Sequence, residues 1–485
     1  MSAAVVVADA DKARAEIIKT EANKLFADKH YDAAINQYTA AIELNPAVPA
    51  YYSNRALAYI RTESFGYAVN DADLALKLDP TFIKAYYRRA TANMAMLRFK
   101  EAMADLRAVV KMNPRDPDAK QKLDECEKII RRVAFEKAIA SDDIQKSAFD
   151  ALGDIDSIMV EPTYTGPHLT PTGAVTPEFV VQLMDHYKAQ KNLHKKYAYQ
   201  ILLQAKNYFA AMDSLVDIAV PTDGRLIICG DTHGQFYDLV HIFELAGMPS
   251  ANNNYLFNGD MVDRGSFSIE VIFTLLAFAL AYPGSMHLAR GNHEAIDMNR
   301  MYGFEGECKA KHTPATFGAF TEVFNALPLV HVVDKALFVV HGGLPSTDGV
   351  WLDEIRQINR FRQPTGNDIM NDLLWADPQI LPGRGASKRG TGFQFGPDVT
   401  KRFLDHNGLK MVIRSHEVKE KGYEIMHDGK CVTIFSAPNY CDAVGNNGAY
   451  IVVKPDLSVV YEEFEAVPHP DIGPMKYAAL RGFGG

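Results

Sequence analysis

Residues 226–234 read LIICGDTHG, residues 255–265 read YLFNGDMVDRG and residues 286–294 read MHLARGNHE. Each stretch starts with a short apolar run and ends in a polar turn that contains glycine. Two further apolar runs that end in polar residues follow at 337–343 (LFVVHGG) and 411–417 (MVIRSHE). Short apolar runs before such turns predict buried strands, and strand ends are where α/β folds collect their ligands. The five turns therefore predict one shared site.

The five turns carry oxygen and nitrogen donors and no thiolate. Two carboxylates, three imidazoles and one amide stand at the predicted strand ends, namely Asp231, His233, Asp260, Asn292, His341 and His416. This donor set suits two borderline divalent ions (manganese, iron or zinc) better than a structural cysteine–zinc site. With Asp260 as the bridging carboxylate, a pair of ions about 3.5–4 Å apart would generate hydroxide near neutral pH and stabilise an in-line displacement.

The first quarter of the chain contains a repeat with a period of 34 residues. The period superposes three prolines that close ELNP, KLDP and KMNP, and it also superposes small and aromatic residues. The matching triplets are Pro46, Pro80 and Pro114, then Ala22, Ala56 and Ala90, then Tyr31, Phe65 and Phe99, then Ala34, Ala68 and Ala102. A helix–turn–helix period of this length with these cues is the tetratricopeptide signature. Three such units predict a superhelix with a concave groove.

The first helix of each repeat is expected to line that groove. In the repeat register, five polar residues with a net positive charge fall on its concave side, namely Lys19, Asn23, Asn54, Lys84 and Arg88. Lysine and arginine supply charge-assisted donors to a carboxylate, and asparagine amides fix its orientation. The alternative is that these side chains are simply solvated.

The blocks GDxHG, GDxxDRG and GNHE, in this order, resemble the metallophosphoesterase signature. With RSHE and SAPNYC (residues 436–441) they are similar to the serine/threonine phosphoprotein phosphatases. The resemblance implies an all-α tetratricopeptide superhelix followed by an α/β metallophosphoesterase, a calcineurin-like β-sandwich flanked by helices. The implied domains are residues 14–117 (three repeats), 118–170 (capping helix and linker), 171–470 (catalytic domain) and 471–485 (C-terminal tail).

The resemblance and the charge of a phosphomonoester together imply residue roles. Arg264 and Arg389 match the phosphate-binding arginines of the family, and Asn292 stands where the family's amide touches both phosphate and metal. His293 fits a general acid for the departing seryl or threonyl oxygen, with Asp263 holding its imidazole. The expected reaction is a direct in-line attack by a metal-bridging hydroxide, without a phosphoenzyme.

Tyr440, in the SAPNYC block, either borders the pocket or only packs there.

The groove residues resemble the two-carboxylate clamp of tetratricopeptide co-chaperones. That clamp holds the C-terminal EEVD tail of the ninety-kilodalton heat-shock chaperone. Members of the phosphatase family with this domain order are autoinhibited by their repeats and released by chaperone tails or fatty acids. Here the chain stops at RGFGG, and glycine is a poor helix former, so we do not expect a long locking C-terminal helix.

Composition is typical of a soluble globular protein, with 47% hydrophobic and 23% charged residues in a chain of 485. The net charge of −9 argues against nucleic-acid binding through bulk positive charge. Five cysteines without a CxxC pair indicate reduced thiols. The N-terminus lacks the features of a signal peptide, and the longest apolar stretch, Val271 to Tyr282, predicts a buried helix rather than a membrane span. We expect a cytoplasmic and nuclear protein.

Two other functions fit parts of the pattern. One is a different metallophosphoesterase activity, such as a nucleotidase or phosphodiesterase, against which Arg264, Arg389 and the SAPNYC block argue. The other is an inert scaffold, although all six proposed ligands and His293 are present. Phosphotyrosine chemistry is disfavoured because the sequence has no Cys-x5-Arg loop.

Overall fold

The computed structural model describes residues 8–139 and 147–478. The chain divides into two compact units. The first unit is Met1–Ile144 together with the short segment Ala386–Gly392, and the second is Gln145–Gly385 with Phe393–Gly485.

The first unit is helical. Its helices are α1 (Asp9–Ala27), α2 (Tyr31–Leu44), α3 (Pro49–Arg61), α4 (Phe65–Leu78), α5 (Ile83–Ala95), α6 (Phe99–Met112) and α7 (Pro117–Ile139). The second helix of each pair ends two residues before the repeated proline, which cannot continue a helix. The repeated alanines are fully buried, so the two helices of each pair approach closely. The predicted tetratricopeptide fold is therefore confirmed.

An ion pair recurs in this unit with the period of the repeat. The Arg55 guanidinium donates to both carboxylate oxygens of Asp71, and Arg89 does the same to Asp105. Burial raises the pKa of Asp71, and the hydrogen bond from Arg55 opposes that shift. Each arginine lies on the first helix of its repeat and each aspartate on the second. The pair therefore ties the two helices together across an otherwise alanine-lined interface.

The second unit contains two large sheets and one small one. Its strands are β1 (Leu215–Ile218), β2 (Arg225–Cys229), β3 (Asn253–Phe257), β4 (Met286–Leu288), β5 (Val330–Val333), β6 (Leu337–Val340), β7 (Asp377–Pro378), β8 (Arg384–Ala386), β9 (Phe393–Phe395), β10 (Met411–Arg414), β11 (Tyr423–Met426), β12 (Cys431–Ile434), β13 (Gly448–Val453) and β14 (Val459–Phe464). The strand orders are β1-β5-β6-β10-β12-β11, β14-β13-β2-β3-β4 and β7-β9-β8.

Apolar side chains from the inner faces of the two large sheets form one core. Ile228 and Ile451 from one sheet belong to the same buried cluster as Val339, Ile413 and Val432 from the other. Helices cover the outer faces, which gives two further cores. These helices are α8 (Pro177–Lys188), α9 (Lys195–Ala210), α10 (Phe236–Ala246), α11 (Ser268–Ala281), α12 (Ile296–Tyr302), α13 (Phe304–Lys311), α14 (Pro314–Ala326), α15 (Leu352–Arg356), α16 (Ile369–Trp375) and α17 (Pro397–Asn407). The predicted β-sandwich flanked by helices is confirmed.

The stretch predicted as a buried helix is α11, which is buried along almost its whole length. Among the described residues, no helix has both the length and the apolar character that a bilayer crossing requires. Part of the stretch predicted as a linker packs into the second unit, where Phe149, Ile155 and Leu169 join the core. The glycine-rich end of the predicted C-terminal tail, residues 479–485, lies outside the described residues.

Candidate metal centre

The predicted strand ends meet at one edge of the sandwich. Strands β2, β3 and β4 run parallel in one sheet, and β10 runs parallel to β6 in the other. Just beyond β2 and β12, Asp231 and Phe435 form an isolated parallel bridge that joins the two sheets. In these turns the site residues His233, Asp260 and His416 all have positive φ. Such backbone is disfavoured and persists where the surrounding contacts hold it.

Donor atoms from these turns face one another at short range. His233 Nε2 lies 3.7 Å from carboxylate oxygens of both Asp231 and Asp260. His341 Nε2 lies 3.3 Å from Asp260 Oδ2 and 2.9 Å from Asn292 Oδ1. These separations match ligands that each stand about 2.0–2.2 Å from a shared ion. Asp260 belongs to two potential ligand groups, one with His233 and His293 and one with His341 and His416.

Backbone carbonyls orient two of the imidazoles. His233 Nδ1 is 3.0 Å from the carbonyl of Val262, and His341 Nδ1 is 2.8 Å from the carbonyl of Asn258. A carbonyl can only accept, so each Nδ1 carries the proton and each Nε2 presents a lone pair to the centre. Metal-ligating histidines are commonly fixed in this way.

The buried charges of the centre fit divalent cations. Burial, and next the charge of Asp260, raise the pKa of Asp231 to about 8. Burial and Asp260 likewise raise the pKa of Glu294 to about 7. Buried carboxylates are costly unless they are paired or bound to metal. Two ions held by the six predicted donors would supply the missing positive charge, so the residues present fit the group that the sequence predicted.

Glu294 was not predicted as a site residue. Its carboxylate accepts hydrogen bonds from the backbone N–H groups of Asp260, Met261 and Gly291, and it is fully buried. It therefore fixes the turn that carries the proposed bridging carboxylate against the turn that carries Asn292. Its place beside His293 in GNHE was the available signal.

His293 and Asp263 form a buried pair beside the donors. The Nδ1 atom of His293 is 2.9 Å from Asp263 Oδ2, and Asn299 donates to the same carboxylate oxygen and to the His293 carbonyl. The Phe304 N–H donates to the other oxygen of Asp263. Burial raises the pKa of Asp263 to about 7, although these hydrogen bonds oppose the shift. Asn299 was not predicted, and no sequence motif marks it.

The remaining predicted residues of the catalytic site lie in two places. The Arg264 guanidinium stacks over the Tyr302 ring, with Cζ 3.9 Å from the centroid. Its charge opposes the rise in the pKa of Asp263 and adds to the lowering of the pKa of His233, which is caused mainly by burial. The Tyr440 ring centroid is 5.2 Å from that of His233. Arg389 instead belongs to the segment Ala386–Gly392, which the structure groups with the helical unit. Its role in phosphate binding stays a prediction.

The five predicted groove residues come from three helices of the first unit. Asn23 Oδ1 accepts from Asn54 Nδ2 (3.2 Å) and from the Tyr38 hydroxyl (2.7 Å). Lys19 is half-buried and pairs with Glu16, while Lys84 is exposed.

Arg88, which is also one of the five, is more deeply placed. Burial and the nearby charge of Arg61 lower its pKa, and its buried Nε has no hydrogen-bond partner among the described residues. A cation in this setting favours an anionic ligand.

Comparison with known families agrees with both units. The calcineurin-like phosphoesterase family matches residues 224–420. A family described as the PPP5 TPR repeat region matches residues 123–217, and the tetratricopeptide repeat family matches residues 83–116.

Similar proteins share this organisation. Serine/threonine-protein phosphatase 5 of Homo sapiens is 54% identical over 472 residues, which cover 97% of this chain and 94% of the relative. Serine/threonine-protein phosphatase T of Schizosaccharomyces pombe is 53% identical over 470 residues, 95% of this chain and 97% of the relative.

A solved structure gives the same result for part of the chain. It is a protein serine/threonine phosphatase from Saccharomyces cerevisiae described as similar to human phosphatase PP5. It matches with a TM-score of 0.61 and 42% identity, over 62% of this chain and all of that one. The chain therefore belongs to the serine/threonine-protein phosphatase 5 family, as a serine/threonine-protein phosphatase with a tetratricopeptide-repeat region.

Proposed function

We propose that the chain hydrolyses phosphoserine and phosphothreonine in proteins directly, without a phosphoenzyme, at the edge of the β-sandwich. The observation that carries the proposal is the convergence of the six metal donors with the buried His293–Asp263 pair. When bound, two divalent ions supply a hydroxide nucleophile near neutral pH and stabilise charge on the phosphoryl oxygens. The donor set fits manganese, iron or zinc.

The protein's own side chains position the substrate and handle the proton. Arg264 and Arg389 bind the phosphate oxygens as bidentate donors, and the Asn292 amide contacts them as well. His293 carries the proton that the departing seryl or threonyl oxygen receives, and Asp263 keeps the imidazole protonated at Nδ1 and correctly turned. Tyr440 borders the pocket beside His233. The stacking of Arg264 on Tyr302 supports its assignment, because it holds the guanidinium close to His233 and Asp263.

Substrate comparison tests this function. The full chain with Mn²⁺ is assayed on a phosphoserine peptide, the matching phosphotyrosine peptide and ATP. We expect phosphate release from the phosphoserine peptide to be the fastest by far. Asp260→Asn should abolish it, because the carboxylate shared by the two potential ligand groups is lost. Faster hydrolysis of ATP would instead support a nucleotidase.

We further propose that the groove of the first unit binds the C-terminal EEVD tail of the ninety-kilodalton heat-shock chaperone. The support is the half-buried Arg88, whose Nε is buried, the exposed Lys84, and Asn23 hydrogen-bonded to Asn54. The two cations would neutralise carboxylates of the tail, and the amides would orient it.

Regulation by the repeats is part of the same proposal. In the first unit, the Gly66 N–H donates to the Lys388 carbonyl (2.8 Å), and the Arg98 guanidinium donates to the Gly390 carbonyl (2.7 Å). These bonds hold the segment that carries Arg389, which supports autoinhibition by the repeats. We propose release by chaperone tails or fatty acids. We propose a cytoplasmic and nuclear location for the protein.

A further inference from the structure

Arg264 occupies a backbone conformation that its side chain disfavours. Its φ is +68°, and that of the preceding Asp263 is +71°. In this left-handed region the Cβ of an L-residue crowds the neighbouring carbonyl. Such a conformation persists only when several contacts hold it at once. The position of the guanidinium therefore depends on what fixes the backbone of Arg264.

Contacts at three points fix this residue. The Arg264 N–H donates to the Tyr302 carbonyl (3.0 Å), and the Met475 N–H donates to the Arg264 carbonyl (2.8 Å). The Tyr302 ring lies under the guanidinium. Tyr302 ends α12, near the centre, whereas Met475 belongs to residues 466–478, which follow the last strand and which we name the C-terminal strap.

Ser266 gives the strap a second attachment. Its hydroxyl donates to the Gly473 carbonyl (2.7 Å) and accepts from the Lys476 N–H (3.4 Å). Its carbonyl accepts from Lys311 Nζ (3.0 Å), which also donates to Glu270. Both Ser266 and Met475 are buried. The strap is thus bonded to the turn that carries Arg264, and that turn is itself tied to α11 and α13.

The C-terminal strap packs closely against Gly306, which has no side chain. A Cβ atom at this position would stand 2.2 Å from the Tyr477 carbonyl oxygen, which real structures essentially never show. Gly306 lies in α13 and has no positive φ, so alanine suits its backbone. The Gly306→Ala substitution should therefore displace the strap and leave the helix intact.

We propose that the C-terminal strap is a positioning element for Arg264, acting through the Met475 N–H and the Ser266 hydroxyl. The inference rests on the proposed role of Arg264 in binding the substrate phosphate. It differs from a packing role, in which the strap only buries its own apolar side chains, such as Met475 and Ala478. A packing role affects stability alone, whereas a positioning role also affects the affinity for phosphate.

The experiment compares Ser266→Ala and Gly306→Ala in the full chain with Mn²⁺. The measurements are the inhibition constant of inorganic phosphate, kcat and KM for a small phosphomonoester, metal content and Tm. We expect the inhibition constant to rise about three- to tenfold in both variants, as for the loss of one or two hydrogen bonds. The value of kcat/KM should fall in parallel, while metal content stays unchanged.

Ser214→Ala is the matched control. Ser214 is a buried serine beside β1 whose hydroxyl also donates to a backbone carbonyl, that of Ile358. The Ser214→Ala substitution should lower Tm and leave the inhibition constant of phosphate unchanged. If the two strap variants behave like this control, the strap only stabilises the fold and the inference is wrong. If Arg264→Ala itself leaves phosphate inhibition unchanged, the proposed role of Arg264 fails, and the inference fails with it.

Discussion

The Nδ1 atom of His293 lies 2.9 Å from Oδ2 of Asp263, and both side chains are buried beside the six predicted metal donors. An ionised carboxylate can only accept, so it holds the proton at Nδ1 and fixes the ring. This arrangement leaves Nε2 as the atom that can deliver a proton to a leaving group. Substitution of His293 tests delivery of the proton, and substitution of Asp263 tests orientation of the imidazole ring.

For the first prediction, His293→Ala should lower kcat about 10²–10⁴-fold, the usual contribution of a general acid. Asp263→Asn should also lower kcat strongly, because an amide at this place favours the wrong tautomer. Metal content, measured by elemental analysis, should match the unmodified chain in both variants. Near-normal turnover of a phosphoserine peptide by His293→Ala would rule out this role.

The second prediction concerns the removal of metal. Chelation should abolish activity and also lower Tm, because it leaves the carboxylates of Asp231, Asp260 and Glu294 buried together. A ligand present at a hundred times its Kd stabilises the folded state by about 2.7 kcal/mol. Calorimetry with EDTA and then with excess Mn²⁺ measures the loss and its recovery. A Tm that does not respond to either addition would show that the donors bind no ion.

A third prediction tests the groove. The double substitution Lys84→Ala and Arg88→Ala should weaken binding of an MEEVD peptide at least tenfold, because two charge-assisted contacts are lost, each worth about 1.5–3 kcal/mol. Lys111→Ala is the control, since Lys111 is an exposed lysine on α6 rather than on the first helix of a repeat. Titration calorimetry measures the affinity. Equal affinities for the double variant and the control would refute the clamp.

Autoinhibition leads to the fourth prediction. Deletion of residues 1–144 should raise the basal rate on a phosphoserine peptide, and the MEEVD peptide should raise the rate of the full chain only. If the deletion leaves the basal rate unchanged, the repeats do not inhibit.

The fifth prediction follows from two histidines that pack at the end of the sandwich. His287 on β4 and His331 on β5 have ring centroids 5.8 Å apart. Burial lowers the pKa of His287 to about 4 and lowers that of His331 as well. The unfolded chain, with histidine pKa values of about 6.5, binds protons that the folded state excludes. The pair therefore does not lower the free energy of unfolding above about pH 6.5, but lowers it progressively as the pH falls toward 4.

His287→Phe should flatten this dependence, because it removes one of the two groups. Tm measured between pH 7 and 4.5 gives the slope. The control is His30→Gln, at an exposed position between α1 and α2. If Tm falls with pH as steeply in His287→Phe as in the unmodified chain, other groups cause the acid sensitivity.

The local sequence predicted much of this protein, because periodic packing leaves a periodic pattern. The small residues Ala22, Ala56 and Ala90 mark helix contacts that repeat every 34 residues, and all three are buried. The ion pairs Arg55–Asp71 and Arg89–Asp105 follow the same period but were not predicted. A pair 16 residues apart on different helices has no signature until the helices are packed.

The sequence was enough to predict the fold of both units and a set of candidate metal donors, because strand-end turns and helix contacts require particular residue types at fixed spacing. How those candidate donors are held depends on contacts between distant parts of the chain. Glu294 binds three N–H groups, Asn299 bridges His293 and Asp263, and the Met475 N–H reaches Arg264 from 211 positions along the chain. Such contacts use backbone groups that every amino acid carries. No residue type at a given spacing therefore predicts them.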